Sequence, residues 1–251
     1  LNRYRRNELT HSIAALILVL AVGVAYAQGT VERFNFTGMV GQSRIGMTLL
    51  ANAAGTVTGG HYFYASDLKD LPLQAGTQGT GIILFNSEGG QFALRFKGNG
   101  SEAGKSLNFH NSVGMEGRWM KNDSSYPVKL QMQQSSQGLT NARWYGDVTS
   151  ESDAAFESRV QNFYKAVLAG DRVSAARYVD FPLRINRNGK SRMVNTAALL
   201  SSQWNQIFTP ACVDAFRDAM PHDMFVRNGQ VMLGDGIAWF GPKGAQAINV
   251  P

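Results

Sequence analysis

Residues 43–64 read Ser-Arg-Ile-Gly-Met-Thr-Leu-Leu-Ala-Asn-Ala-Ala-Gly-Thr-Val-Thr-Gly-Gly-His-Tyr-Phe-Tyr. Two short segments rich in apolar, β-branched and aromatic residues, 43–50 and 56–64, flank Asn52-Ala53-Ala54-Gly55. Asn and Gly tolerate the positive φ of a tight turn, and the flanking segments are too short for helices, so the stretch predicts two antiparallel strands. The same phrasing recurs on both sides. Strands are predicted at 33–40, 80–85, 91–96, 113–120 and 128–134, with turns at Asn86-Ser87-Glu88-Gly89 and Lys97-Gly98-Asn99-Gly100. Each turn joins neighbours, which describes a meander. Seven or more strands with one apolar face must close or stack to bury it and remove their edges, so residues 31–134 are expected to form an all-β antiparallel barrel or sandwich.

The pattern changes after Gln133-Gln134-Ser135-Ser136-Gln137-Gly138, and residues 135–152 read as a linker. Trp144 and Tyr145 are too apolar for a free tether, so this segment should pack against one of the domains. From residue 153 to 251 the spacing is mainly helical. Phe156, Val160, Phe163, Tyr164, Val167 and Leu168 form one apolar stripe that Gly170 terminates, and Asp171 caps a second helix running to about residue 179. Asn188-Gly189 joins 181–186 to 191–194 as a hairpin. Asn195 is placed to cap a third helix that buries Leu199, Leu200, Trp204, Ile207 and Phe208, and Pro210 opens a fourth running to about residue 220. Residues 224–250 read as strands turned at Asn228-Gly229, with a bulge expected at Gly234 and Gly236.

Towards the N-terminus, residues 1–6 hold three arginines, an apolar run covers 13–25, and Ala25-Tyr26-Ala27 has the small residues of a cleavage site. Residues 1–27 are therefore expected to be a secretory signal peptide, and the location periplasmic or extracellular. The apolar run is short of the roughly 20 residues a spanning helix needs, so no stable membrane anchor is expected after cleavage. Cys212 is the single cysteine and has no partner for an internal disulfide. The formal charge is +6, and removing Arg3, Arg5, Arg6 and Glu8 leaves about +4. That excess is scattered and not interleaved with aromatics, which argues against nucleic acid as a partner.

The helix, helix, hairpin, helix, helix, strands order carries three phrases: 165–171 (Lys-Ala-Val-Leu-Ala-Gly-Asp), 178–186 (Tyr-Val-Asp-Phe-Pro-Leu-Arg-Ile-Asn) and Ile207-Phe208-Thr209-Pro210. With 229–240, these residues resemble the nuclear transport factor 2-like (SnoaL-like) superfamily, particularly its exported bacterial members. The resemblance covers about 151–250. It implies an α+β cone with helices packed into a curved antiparallel sheet, a pocket inside the cone, and pairing of two copies as a homodimer through the sheet. That superfamily includes isomerases, dehydratases, cyclases and binding modules, so fold alone does not select a function. Gly60-His61-Tyr62 and Gly117-Arg118-Trp119 make the first half similar to small β-domains of exported bacterial proteins of unknown function.

The resemblance implies an acid or base inside the cone, and Asp180, Asp235, His222 and Tyr178 are the candidate catalytic residues. Each has a plainer reading. Asp180 can bond local backbone or pair with Arg184, Asp235 can serve the Gly234-Asp235-Gly236 turn, and His222 after Pro221 reads as an exposed loop residue. Arg184, Asn186 and Arg192 on the hairpin, with Trp204 and Trp239, are the candidate ligand-binding residues. A solvated hairpin face and an aromatic core account for them equally. His61, His110 and His222 lie far apart without ligand spacing, so no metal is expected. Neither Gly-x-Ser-x-Gly nor a P-loop occurs, no cofactor is indicated, and Cys212 reads as a core hydrophobe. The expectation is a non-catalytic binding module for a small molecule, a glycan or an envelope protein. The alternative is an isomerase, dehydratase or hydrolase that uses Asp180 or Asp235.

Overall fold

The computed structural model describes residues 29–76, 81–101, 104–139 and 142–251. The expected signal peptide lies outside them. Eight strands form the first half: β1 Thr30–Val40, β2 Ser43–Ala51, β3 Val57–Tyr64, β4 Leu71–Ala75, β5 Ile82–Asn86, β6 Gln91–Lys97, β7 Gly114–Lys121 and β8 Ser124–Leu139. Each pairs antiparallel with the next, and β8 returns to β1, so the meander closes into a barrel. Closure leaves no free edge. Phe34, Phe36, Ile45, Met47, Leu49 and Tyr62 point inward from β1 to β3, joined by Leu84, Phe92 and Met115.

Two departures from the sequence reading follow from this closure. β4 was not anticipated, because Pro72 breaks the apolar run; only three residue pairs bind it to β3, and Pro72 lies opposite His61. β8 continues past Gln134 to Leu139, since the polar residues 135–138 are held by backbone pairing to β1 and not by burial. The Asn86 turn forms as expected. Its side-chain oxygen accepts from the amides of Glu88 and Gly90, and Gly89 takes a φ of 81°. After Lys97 the chain instead makes a longer connection that drops Phe109 into the barrel, stacked on Phe34 at 4.1 Å.

The C-terminal half contains α1 Asp153–Ala169, α2 Arg172–Ala176, β9 Val179–Arg187, β10 Lys190–Val194, α3 Ala197–Ser202, α4 Trp204–Ile207, α5 Pro210–Asp218, β11 Phe225–Arg227, β12 Gln230–Leu233, β13 Ala238–Gly241 and β14 Gly244–Val250. Ser152 caps α1, Gly170 ends it at φ 68°, and Pro210 opens α5. α3 is capped by Thr196, one residue after the expected Asn195. α2 stops at Ala176 because Val179 is already paired with β14.

The sheet runs β10-β9-β14-β13-β12-β11. It is mixed, since β9 and β14 are parallel, whereas a purely antiparallel sheet was expected. Gly234 and Gly236 form the turn between β12 and β13; the irregularity in pairing falls at Trp239 and Phe240. The helices cover one face of the sheet. Phe163, Phe208, Phe216 and Phe240 pack together where the cone interior was expected to hold a pocket. The two halves have separate buried cores. Tyr145 is fully buried in the second and Trp144 packs against it, so this segment belongs to the C-terminal half. Among the described residues no helix is long and apolar enough to cross a membrane.

Candidate functional site at the junction of the two halves

Strand alternation places Asn35, Thr48 and His61 outside the barrel, because their neighbours Phe34, Met47 and Tyr62 point inward. Register aligns them in one row, with Asn35 opposite Thr48 and Thr48 opposite His61; Gln134 of β8 continues the row beyond Asn35. Outward polar residues on a small barrel normally meet water. Here Asn35 and Thr48 are buried, because the loop between α5 and β11 covers them.

That loop brings His222 and Asp223. Asp223 takes a φ of 48°, a left-handed conformation that Asp tolerates better than most residues. The Thr48 hydroxyl donates to Asp223 Oδ2 at 2.6 Å, and His61 Nε2 lies 2.5 Å from the same oxygen. His222 Nδ1 is 2.6 Å from Glu157 Oε2, and its Nε2 is 2.8 Å from Asp70 Oδ1. The Phe63 ring meets His222 edge-on at 4.4 Å and lies over Gly46, where a Cβ would approach it to 2.1 Å. Glu157, on the second turn of α1, anchors the network. Its Oε1 accepts from the Tyr145 hydroxyl at 2.5 Å and from the Asp223 amide at 3.0 Å.

The electrostatics follow from this packing. Burial works against a charged His222, but hydrogen bonds to Asp70 and Glu157 and the charges of Glu157 and Asp223 push its pKa up to about 10. Burial likewise opposes a charged His61, yet the hydrogen bond and charge of Asp223 raise it. Burial favours a neutral Asp223; the hydrogen bond and charge of His61, with His222 and Thr48, nevertheless hold it below the usual carboxylate range. Burial and the Glu157 charge drive the Tyr145 hydroxyl well above its ordinary value, so it stays a proton donor.

Beside this network a cleft of about 830 Å³ opens between the barrel and the C-terminal half. One wall carries Asn35, Gln134 and Arg44; the other carries Met224, Met232 and the 234–236 turn. Its size suits a small-molecule ligand. Two buried acceptors in the wall, Asn35 Oδ1 and Gln134 Oε1, have no partner. The orientation of the Asn35 amide is fixed by logic. Ionised Asp223 only accepts, so Thr48 must donate to it, and the Thr48 oxygen then accepts from Asn35 Nδ2 at 3.1 Å. The Asn35 carbonyl oxygen is therefore the amide atom left without a donor.

The residues singled out from sequence divide among three places. His222 is part of the buried network and not an exposed loop residue, because the barrel docks against it; its side chain is 11% exposed. Asp235 lines the junction cleft from the β12–β13 turn. Asp180 accepts from Gln246 Nε2 at 3.0 Å on the open face of the sheet, where Arg184, Asn186 and Trp239 line a second hollow. Arg192 does not join them. It pairs with Ile185, one residue out of phase with Arg184 and Asn186, and its guanidinium bonds Gln203. Trp204 meets Phe208 in the core with the rings tilted and 4.2 Å apart, and Tyr178 packs half-buried against that core. His61, Asp70, Glu157 and Asp223 were missed. Each is unremarkable alone, and only closure of the barrel and docking of the loop bring them together. Comparison of the chain with protein-family models, curated proteins and solved structures finds no match.

Proposed function

We propose that the protein is a non-catalytic binding module whose ligand is a hydroxylated small molecule or glycan segment seated in the junction cleft. The observation that carries this reading is the pair of unpartnered buried acceptors, Asn35 Oδ1 and Gln134 Oε1, on one wall. A buried acceptor without a donor costs about 1–3 kcal/mol, a cost that a ligand hydroxyl or ammonium group recovers on binding. Opposite them, Met224, Met232 and Phe225 offer adaptable apolar surface for the carbon skeleton. Arg44 lines the same cleft, but its guanidinium already donates to the carbonyls of Arg217 and Asp218, which leaves it a structural tie between the halves. The exported, periplasmic or extracellular location and the nuclear transport factor 2-like ancestry of the C-terminal half belong to the same reading. They rest on the leader-like residues 1–27 and on the order of helices and strands.

Thermal-shift screening of the protein against sugars, amino sugars and cell-envelope glycan fragments tests the proposal, with Gln134→Leu in parallel. Leucine removes the cleft acceptor without touching the His–carboxylate network. The expected result is a midpoint rise that is lost or reduced at least tenfold in apparent affinity in Gln134→Leu. Silence across the panel, or equal binding by the variant, contradicts it.

A further inference from the structure

We propose that His61, Asp70 and His222 form a site for one divalent transition-metal ion, of the zinc class, where the barrel meets the C-terminal half. The donor atoms His61 Nε2, Asp70 Oδ1 and His222 Nε2 all lie within 4.8 Å of one another. His61 Nε2 is 3.5 Å and His222 Nε2 2.8 Å from the shared Asp70 oxygen. Ligands about 2.0–2.2 Å from a tetrahedral ion stand about 3.3 Å apart, so an ion between these atoms requires that the 2.8 Å Asp70–His222 contact and the 2.5 Å Asp223–His61 contact both open. Asp70 has room to move, because its side chain is 49% exposed, while His222 is held at its far nitrogen by Glu157.

His222 is oriented by a carboxylate at its far nitrogen. Glu157 Oε2 faces His222 Nδ1, and Glu157 is itself fixed by the Tyr145 hydroxyl and the Asp223 amide. A carboxylate on the far nitrogen selects the tautomer that turns the Nε2 lone pair forward, the arrangement that orients metal-bound histidines. Asp223 Oδ2, restrained by Thr48, faces the ligating His61 Nε2 itself at 2.5 Å, so an ion on that nitrogen takes the place of the proton the two share. Three carboxylates surround two imidazoles, so the pocket is built for positive charge. Two nitrogen donors direct it to zinc, cobalt, nickel or copper in preference to magnesium or calcium. Binding displaces the protons that otherwise bridge imidazole and carboxylate, and is accompanied by proton release. The ligands come from β3, the segment before β4 and the α5–β11 loop, so the ion ties the two halves together.

Isothermal titration of the chelator-treated protein with Zn²⁺, and visible spectroscopy with Co²⁺, read the site directly. One equivalent is expected to bind, with a Co²⁺ spectrum of low coordination number. His61→Gln and Asp70→Ala should each weaken affinity at least tenfold, Glu157→Gln by about ten- to a hundredfold, and His110→Ala should leave it unchanged. Asp70 is half-exposed, so its variant remains informative if the His61 variant fails to fold. Gln134→Leu should bind metal normally, which separates this site from the cleft reading. Absence of a one-to-one complex, or full affinity retained in both His61→Gln and Asp70→Ala, overturns the proposal and leaves a network bridged by protons only.

Discussion

The hydroxyl of Thr48 on the barrel donates to the carboxylate of Asp223 in the C-terminal half across 2.6 Å, and the same oxygen accepts from Asn35. One threonine thus satisfies a partner on each side of the junction. Thr48→Val keeps the shape and removes both bonds, leaving Asn35 Nδ2 and a buried carboxylate oxygen without that partner. The variant should lose about 1–3 kcal/mol of stability, read as a lower urea midpoint at unchanged slope. A loss below about 0.5 kcal/mol would mean that the junction is wetter than its packing indicates.

His222 makes stability pH-dependent in the metal-free protein. The groups facing it are Glu157, Asp70, Asp223 and His61, with Phe63 against its ring. Its folded pKa is raised to about 10 from the ordinary imidazole value. A raised pKa stabilises the fold fully below the unfolded value, and that contribution disappears as pH climbs through the folded one. With chelator present, the melting temperature should therefore fall progressively between neutrality and pH 10. His222→Gln should be less stable at pH 6 and should show a flatter profile. A wild-type melting temperature that rises across this range would refute the assignment.

Cys212 is fully buried in α5, and burial pushes its thiol up to about 12. Thiolate is the reactive form, so the folded protein should resist thiol reagents at pH 8 and react only when it unfolds. Labelling should therefore accelerate steeply across the urea transition. Rapid labelling of the native protein would place Cys212 nearer the surface.

Phe109 reaches the barrel interior from the long β6–β7 connection and stacks on Phe34 while meeting Phe96 edge-on at 4.8 Å. Phe109→Ala should cost about 3–5 kcal/mol, as large aromatic deletions from a core do. If the cost measured by urea unfolding is under 1 kcal/mol, the connection contributes little to the barrel core.

Much of the fold was written in local spacing. Asn52, Asn86, Asn188 and Asn228 mark turns, and Gly170 and Pro210 bound helices through backbone preferences that act within a few residues. β4 was hidden because Pro72 breaks its alternation, and the end of β8 because strand pairing needs no apolar side chains. The parallel contact of β9 with β14 depends on order within the sheet, which no short window contains. The site was less legible for the same reason. His61 falls within a predicted strand and His222 reads as an exposed loop residue; the strand and the loop both form, but His222 is buried at the junction. Their rings stand 6.4 Å apart because surfaces of the two halves meet. Arg192 failed for a narrower cause: Arg184 and Asn186 share a face, but the register sets Arg192 opposite Ile185.

The central claim is that the working surface lies between the halves, on the row formed by Gln134, Asn35, Thr48 and His61. A crystal structure of the protein with a ligand selected by thermal shift tests it most directly. The account predicts ligand density in the junction cleft, with donors within about 3 Å of Asn35 Oδ1 and Gln134 Oε1. Density instead on the open sheet face beside Arg184 and Trp239, with the junction cleft unchanged, would contradict it.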